Sequence, residues 1–203
     1  MRRLATTLAL ATLLAGCARP APAPTSGASA SAADRFSVYD LGSSWRDQRD
    51  SSRSLASPAG TPRVVAMVYT HCTATCPLSI AEMKRIERAT GPDVGLVLVS
   101  LDPERDTPGR LAEFAAETGL DTGRWTLLSG SDDDTRALAA ALGVRYRRLS
   151  AAELAHSNAI TLLDAGGEVV EQELGLAGGE DMLRAIRALT TAGASTNPQE
   201  NDR

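Results

Sequence analysis

Met67-Val-Tyr-Thr-His-Cys-Thr-Ala-Thr-Cys-Pro-Leu78 is the stretch on which the reading of this chain turns. Val64 to Tyr69 is a continuous apolar run rich in β-branched residues, as suits a strand covered on both faces. Pro77 has a fixed φ and no N–H to donate, so it fits the first turn of a helix. Leu78, Ile80, Met83 and Ile86 then recur at roughly helical spacing, and Gly91-Pro92 stops the pattern. Cys72 and Cys76 therefore sit at or just before a helix N-terminus. The unpaired N–H groups and positive dipole end there favour a thiolate over a thiol.

The spacing of the two cysteines has a geometric meaning. On a helical turn, residues four apart have Cβ atoms about 5–6 Å apart. Two such sulfurs can close a disulfide with modest adjustment, since bridged Cα atoms lie about 4.4–6.8 Å apart. They can equally share one metal ion, or stay a free pair. A lone C-x₃-C does not choose among these. Its position at a strand-to-helix turn favours function, because structural bridges more often close long loops.

The first residues set an expected compartment. Met1-Arg-Arg is a short positive region, and Leu4 to Leu14 is an apolar run of signal-peptide length. Leu14-Ala15-Gly16-Cys17 has the form of a bacterial lipobox, with cleavage before Cys17 and lipid on its sulfur. Residues 1–16 are then a lipoprotein signal peptide. Residues 17–34, rich in Ala, Pro and Ser, are a flexible tether. With Cys17 used by lipid, Cys72 and Cys76 remain as a pair. The domain lies outside the cytoplasm, anchored to a bacterial membrane at the periplasmic face or cell surface, where disulfides can persist. Residues 35–190 suffice for one domain with one core, and 191–203 read as a disordered tail. A net charge of −4 and a single lysine, Lys84, argue against nucleic-acid binding.

Within the domain, Phe36 to Leu41 reads as a short strand and Trp45 as a packing residue in a polar loop. Val94 to Ser100 is a second apolar strand, so strand, helix and strand form a right-handed βαβ unit with parallel strands. In Leu101-Asp-Pro-Glu-Arg-Asp-Thr-Pro, Thr107 caps and Pro108 starts a helix with Leu111, Phe114 and Ala115 facing inward. The charged loop Asp102 to Asp106 and the two-cysteine turn both follow ends of parallel strands. They should share the sheet edge where ligands bind in open α/β sheets. A strand over 124–129, a helix ending at Gly143 and a strand over 144–149 come next. A hairpin about Asp164-Ala-Gly-Gly and a helix over 179–189 close the order. The expected class is α/β: a thioredoxin-like fold whose central mixed sheet is flanked by helices, with an insertion and a C-terminal β-hairpin plus helix.

That topology brings the loop holding His156 back beside the cysteine turn. His71 adjoins Cys72, but neighbours in sequence usually point apart, and it reads as a bystander. Two thiolates and an imidazole make a soft S₂N set. Thiolates select Cu(I), Zn and Fe–S clusters, and imidazole suits Cu and Zn. Three ligands are one short of a closed structural zinc site. The same set could act as a redox pair.

Thr70-His-Cys-Thr-Ala-Thr-Cys-Pro, Ser100-Leu-Asp-Pro-Glu-Arg-Asp-Thr-Pro and His156-Ser, in that order, resemble the SCO/SenC family of membrane-anchored, thioredoxin-like copper chaperones over about residues 36–189. The resemblance implies a metallochaperone that assembles the copper site of cytochrome c oxidase. It implies a copper ion, Cu(I) or Cu(II), on Cys72, Cys76 and His156. The implied partners are a copper-accepting oxidase subunit and other copper chaperones. An extracytoplasmic thiol–disulfide oxidoreductase, with Cys72 and Cys76 as a catalytic, reversible disulfide, is the alternative. A peroxidase-like relative and a lipid-anchored adaptor with a structural bridge are weaker ones. In many members of the family an Asp directly precedes the distal histidine. Here that position is Ala155, so a backbone group or another side chain has to orient the imidazole.

Overall fold

The computed structural model describes residues 36–150, 153–175 and 179–194. The lipobox, Cys17 and the tether expected over 17–34 lie outside them.

Two strands with every residue buried or nearly so form the centre: β3 (Arg63–Val68) and β4 (Gly95–Ser100). They pair in parallel from Arg63 opposite Gly95 to Val68 opposite Ser100, with α1 (Cys76–Thr90) as the crossover. Helix α1 buries Cys76, Ile80, Met83 and Ile86, and its chain turns out at Gly91. Strands β1 (Trp45–Asp47) and β2 (Ser52–Arg53) precede this unit. After β4 come α2 (Pro108–Thr118), β5 (Trp125–Gly130) and α3 (Asp132–Ala141). Both helices begin on side-chain caps: Thr107, the cap expected from the sequence, accepts from the Arg110 amide, and Ser131 accepts from the Asp134 amide. Strands β6 (Tyr146–Arg148), β7 (Leu154–His156), β8 (Ala159–Leu163) and β9 (Val169–Leu174) lead to α4 (Glu180–Ala194).

The main sheet has the order β2-β1-β5-β4-β3-β8-β9, and β6 and β7 make a separate ribbon. β3, β4 and β5 are parallel; β8, β9, β1 and β2 run antiparallel to their neighbours. Helices α1 and α4 pack together over β3, β8 and β9, while α2 and α3 lie against β5. This is the mixed sheet flanked by helices expected of a thioredoxin-like fold. Its halves are β3-α1-β4 and β8-β9-α4, and the residues between them form the insertion.

Four local expectations are corrected. Residues 38–41 are a 3₁₀ turn rather than a strand. The Ser37 hydroxyl accepts from the Tyr39 amide and donates to the Gly166 carbonyl, and the Val38 amide donates to the Gly167 carbonyl. The Val38 amide is thereby used on the β8–β9 turn, and the Tyr39 and Asp40 amides are used locally on Ser37. Trp45 is not in a loop: it starts β1, 1% exposed, opposite Gly130 of β5. Leu154 to His156 form β7 because Tyr146 to Arg148 pair with them. Helix α4 also runs past the expected boundary at 190, to Ala194.

A Cβ added at Gly130 would lie 2.7 Å from ring carbons of Trp45. Both are held by strand pairing, so neither can move aside cheaply. Gly130→Ala is expected to lower unfolding free energy by about 1–3 kcal/mol, read as a reduced denaturant midpoint at unchanged slope.

Candidate metal centre

The cysteine turn starts where β3 leaves the sheet. The Thr70 amide and hydroxyl both donate to the Asp106 carboxylate, at 3.1 and 2.6 Å, and the Ser100 hydroxyl donates to it at 2.6 Å. Asp106 is fully buried. One carboxylate thus holds the ends of both central strands to the acidic loop and sets where the chain departs toward Cys72. Arg110 Nε adds a bond to Thr70 Oγ1 at 3.2 Å.

The turn then enters α1 without a hydroxyl cap, since the Thr75 side chain makes no capping bond. Cys72 Sγ supplies the missing acceptor, taking the Cys76 amide at 3.4 Å. Cys76 is the first residue of α1 and 1% exposed, whereas Cys72 is half-buried. Both are free thiols.

Ribbon strand β7 delivers His156. Its Nε2 lies 3.9 Å from Cys72 Sγ and 3.4 Å from Cys76 Sγ, and all three atoms lie within 4.8 Å of one another. Its Nδ1 lies 3.2 Å from the Ser157 carbonyl oxygen. A carbonyl only accepts, so that nitrogen carries the proton and Nε2 presents its lone pair to the sulfurs. The backbone thereby does the orienting that Ala155 cannot. Tyr69 packs edge-on against the imidazole, ring centroids 5.8 Å apart, and its hydroxyl donates to the Leu154 carbonyl at 3.1 Å. The end of β3 therefore also braces the strand that carries the histidine.

The two thiols are unlike. Burial opposes ionisation of Cys72, but hydrogen bonds from the Cys76 thiol and from the Cys76 and Thr75 amides outweigh it, and this thiol is held down to about 6. Burial pushes the Cys76 thiol up, and the Cys72 sulfur beside it adds to the effect. One thiolate at neutral pH is the result, with a second thiol that ionises only when something positive arrives.

The donor set fits a small soft ion. An ion with sulfur bonds of about 2.3 Å and nitrogen bonds of about 2.0 Å holds such atoms about 3.5–4 Å apart, close to the spacing found. Two thiolates and an imidazole match copper or zinc. The other sequence candidates lie outside this cluster. His71 is exposed, its Nδ1 3.1 Å from Thr70 Oγ1. Asp102, fully buried, is held by Arg105 at 2.6 Å and Arg148 at 2.8 Å. Sequence reasoning missed the grip of Asp106 on Thr70 and the brace of Tyr69. The signal available was a hydroxyl residue at the end of each central strand facing one acidic loop.

A thioredoxin-like domain with a two-thiol, one-imidazole centre at the C-terminal edge of its parallel strands is therefore the class that fold and site define. The SCO1/SenC family profile matches residues 38–191. The chain belongs to the SCO1/SenC family. Its fold is similar to copper-bound ScoI of Bradyrhizobium japonicum (24% identity, covering 72% of this chain and 96% of that one, TM-score 0.62). It is likewise similar to a SCO1/SenC family lipoprotein of Bacillus anthracis (23% identity, 72% and 92% covered, TM-score 0.65). A third is BsSco, described with a disulfide switch and as a member of the Sco family of cytochrome c oxidase assembly proteins (23% identity, 73% and 91% covered, TM-score 0.63).

In the reduced, metal-free protein, iodoacetamide should modify one thiol, Cys72, with a rate that climbs as pH rises through about 6 and then levels off. Cys76 should stay unmodified at neutral pH. Two thiols reacting together with a midpoint near that of free cysteine would contradict the asymmetry. Mass spectrometry of the peptides reads both sites.

Proposed function

We propose that this protein is a copper metallochaperone whose Cys72, Cys76 and His156 hold Cu(I) or Cu(II) as cargo. The observation that carries the reading is the convergence of two sulfurs and a tautomer-fixed imidazole nitrogen within 4.8 Å, from elements 80 residues apart in sequence. The copper-bound structure of ScoI supports it. Cys72 offers a thiolate ready to take the ion. Cys76 gives up its proton on coordination, so loading releases about one proton at neutral pH. His156 closes the set from the side, and three ligands leave a position open to an acceptor's ligand. The acceptor proposed is a copper-accepting subunit of cytochrome c oxidase, with other copper chaperones as donors. The association of BsSco with oxidase assembly supports this choice.

The unequal thiols favour a second reading beside the first. A low-pKa, partly exposed thiol next to a buried one is also the arrangement of a thiol–disulfide oxidoreductase. In that role Cys72 attacks a target disulfide and Cys76 resolves the mixed disulfide. The pair is oxidised to a Cys72–Cys76 bridge, and its two electrons leave on the target, whose disulfide becomes two thiols. Such a bridge would also switch copper binding off.

Anchoring is proposed at Cys17, with the domain outside the cytoplasm. The Leu14-Ala-Gly-Cys17 tetrapeptide and the lipoprotein relative support it. Among the described residues no helix is long and apolar enough to cross a membrane. Cys17→Ser should move the protein out of the detergent-dependent membrane fraction and abolish incorporation of labelled fatty acid; unchanged fractionation would count against the anchor.

Copper titration of the reduced protein tests the main reading. One equivalent of Cu(II) should give a thiolate charge-transfer band. Cys72→Ala should abolish it. His156→Ala should weaken binding more than about 100-fold, beyond what loss of a merely supporting partner costs. Absence of binding, with a readily reversible Cys72–Cys76 disulfide, would move the assignment to the oxidoreductase.

A further inference from the structure

The β6–β7 ribbon that carries His156 stands apart from the main sheet, so among the described residues no backbone ladder to that sheet fixes its distance from the cysteines. A two-stranded ribbon is marginally stable in water by itself and takes its place from contacts with the rest of a domain. The register shows which side chains can make them. Tyr146 lies opposite His156, and Arg148 lies opposite Leu154. Opposed residues share a face, as do residues two apart on one strand. Arg148 therefore projects from the same face as His156 and the buried Leu154, about 7 Å further along the ribbon. Arg147 and Ala155 are on the other face.

On that face Arg148 meets Asp102. Its Nη2 donates to Asp102 Oδ1 at 2.8 Å, across 46 residues of chain. Asp102 is fully buried in the loop that follows β4. Its other carboxylate oxygen takes Arg105 Nε at 2.6 Å, and its amide donates to Ser100 Oγ at 2.9 Å. Its carbonyl accepts the Arg105 and Asp106 amides. Burial opposes ionisation of this carboxyl, but the bonds from Arg148 and Arg105 outweigh it and hold the group below the usual carboxylate range. Asp102 is thus a charged and immobile anchor. The chain itself fixes one end of the ribbon, at the buried Val144 and at Ala159, which opens β8. The Arg148–Asp102 pair fixes the end farther from β8.

We propose that Asp102 and Arg148 are positioning residues for His156: their ion pair clamps the ribbon so that the imidazole Nε2 stays beside Cys72 and Cys76. This rests on the reading of the cluster as a copper site and adds what keeps its third ligand in place. Arg148 carries no atom of the donor set, so its effect passes through the ribbon. The Tyr69 hydroxyl gives the ribbon one neutral bond, to the Leu154 carbonyl at 3.1 Å. The bond from Arg148 to a fixed, buried carboxylate is of the stronger, charge-assisted kind. One acidic loop then sets both arms of the centre. Asp106 holds the cysteine turn through Thr70, and Asp102 holds the histidine through Arg148.

The test compares Arg148→Gln, Arg148→Lys and, as a control on the opposite face, Arg147→Gln in the reduced full chain. The Arg148 side chain is 42% exposed, so these substitutions leave the core intact, and a denaturant midpoint checks each fold. In the metal-free protein the ring protons of His156 and Tyr69 should show a nuclear Overhauser contact. Arg148→Gln should weaken that contact, and Arg147→Gln should leave it unchanged. With copper, Arg148→Gln should bind about tenfold more weakly and lose imidazole nitrogen coupling from the Cu(II) resonance. Arg148→Lys, which keeps a cation able to reach one carboxylate oxygen, should recover most of both. In a His156→Ala background, Arg148→Gln should change copper affinity less than about twofold, because the ligand it positions is gone. Equal weakening in both backgrounds would overturn the proposal. So would an Arg148→Gln protein with wild-type ring contact and affinity, an outcome that leaves the copper reading standing. A wild-type protein that binds no copper, yet whose ring contact depends on Arg148, removes the copper reading and keeps the positioning.

Discussion

The buried carboxylate of Asp106 is the constraint on which the site depends. Two parallel strands end side by side, and each leaves a polar group where the sheet stops: the Thr70 amide and hydroxyl after β3 and the Ser100 hydroxyl at the end of β4. These groups are shut away from water, so each needs a partner or costs about 1–3 kcal/mol. Asp106 satisfies all three, and an ionised acceptor makes the stronger kind of bond. The direction in which the chain leaves β3 is thereby settled before any sulfur is considered. Tyr69, one residue earlier, then braces the histidine strand from the same strand end. Both arms of the metal centre are referred to a single point in the sheet.

The resulting site makes opposed demands of its cysteines, and their positions along the chain resolve them. An ion needs two thiolates, yet two neighbouring anions with no ion between them repel. Placing Cys72 before α1, where it accepts the Cys76 amide, stabilises one negative charge. Placing Cys76 inside the first turn, 1% exposed, withholds the second until a cation or an oxidant arrives. Three residues between the cysteines allow this division because the helix begins at the second of them. Such a division is compatible with either chemistry, thiolate coordination of an ion or closure of a disulfide.

Much of this was legible in the chain. The all-apolar runs of β3 and β4, Pro77 after the cysteines and the cap at Thr107 are local signals, and each placed its element correctly. The topology they imply was enough to bring His156 to the cysteines. What failed was contact-determined. Residues 38–41 alternate like a strand, but the β8–β9 turn claims the Val38 amide and Ser37 claims those of Tyr39 and Asp40. Trp45 looks like a loop residue until Gly130, far along the chain, leaves free the space its ring occupies. Leu154 to His156 became a strand because Tyr146 to Arg148 needed one. The acidic loop was legible as a charged segment at the edge of the sheet, but not that Arg105 and Arg148 hold Asp102 or that Asp106 grips Thr70, 36 residues away.

Ala155 shows how much of a ligand's orientation the backbone can take over. A carboxylate before the histidine would bond the imidazole through a side chain with its own rotamers. Here the Ser157 carbonyl does so, and that carbonyl cannot rotate freely: the Ser157 amide donates to the Arg145 carbonyl, and the Ser157 hydroxyl accepts the Arg145 amide. The ring is thus fixed by the ladder of the β6–β7 ribbon itself. A neutral acceptor withdraws less of the ring proton than a carboxylate would, leaving Nε2 a weaker donor. Weaker donation from nitrogen shifts the balance of the set toward its sulfurs, which favours the softer Cu(I) over Cu(II). The backbone thus gives this candidate ligand a firm position with only modest donor strength.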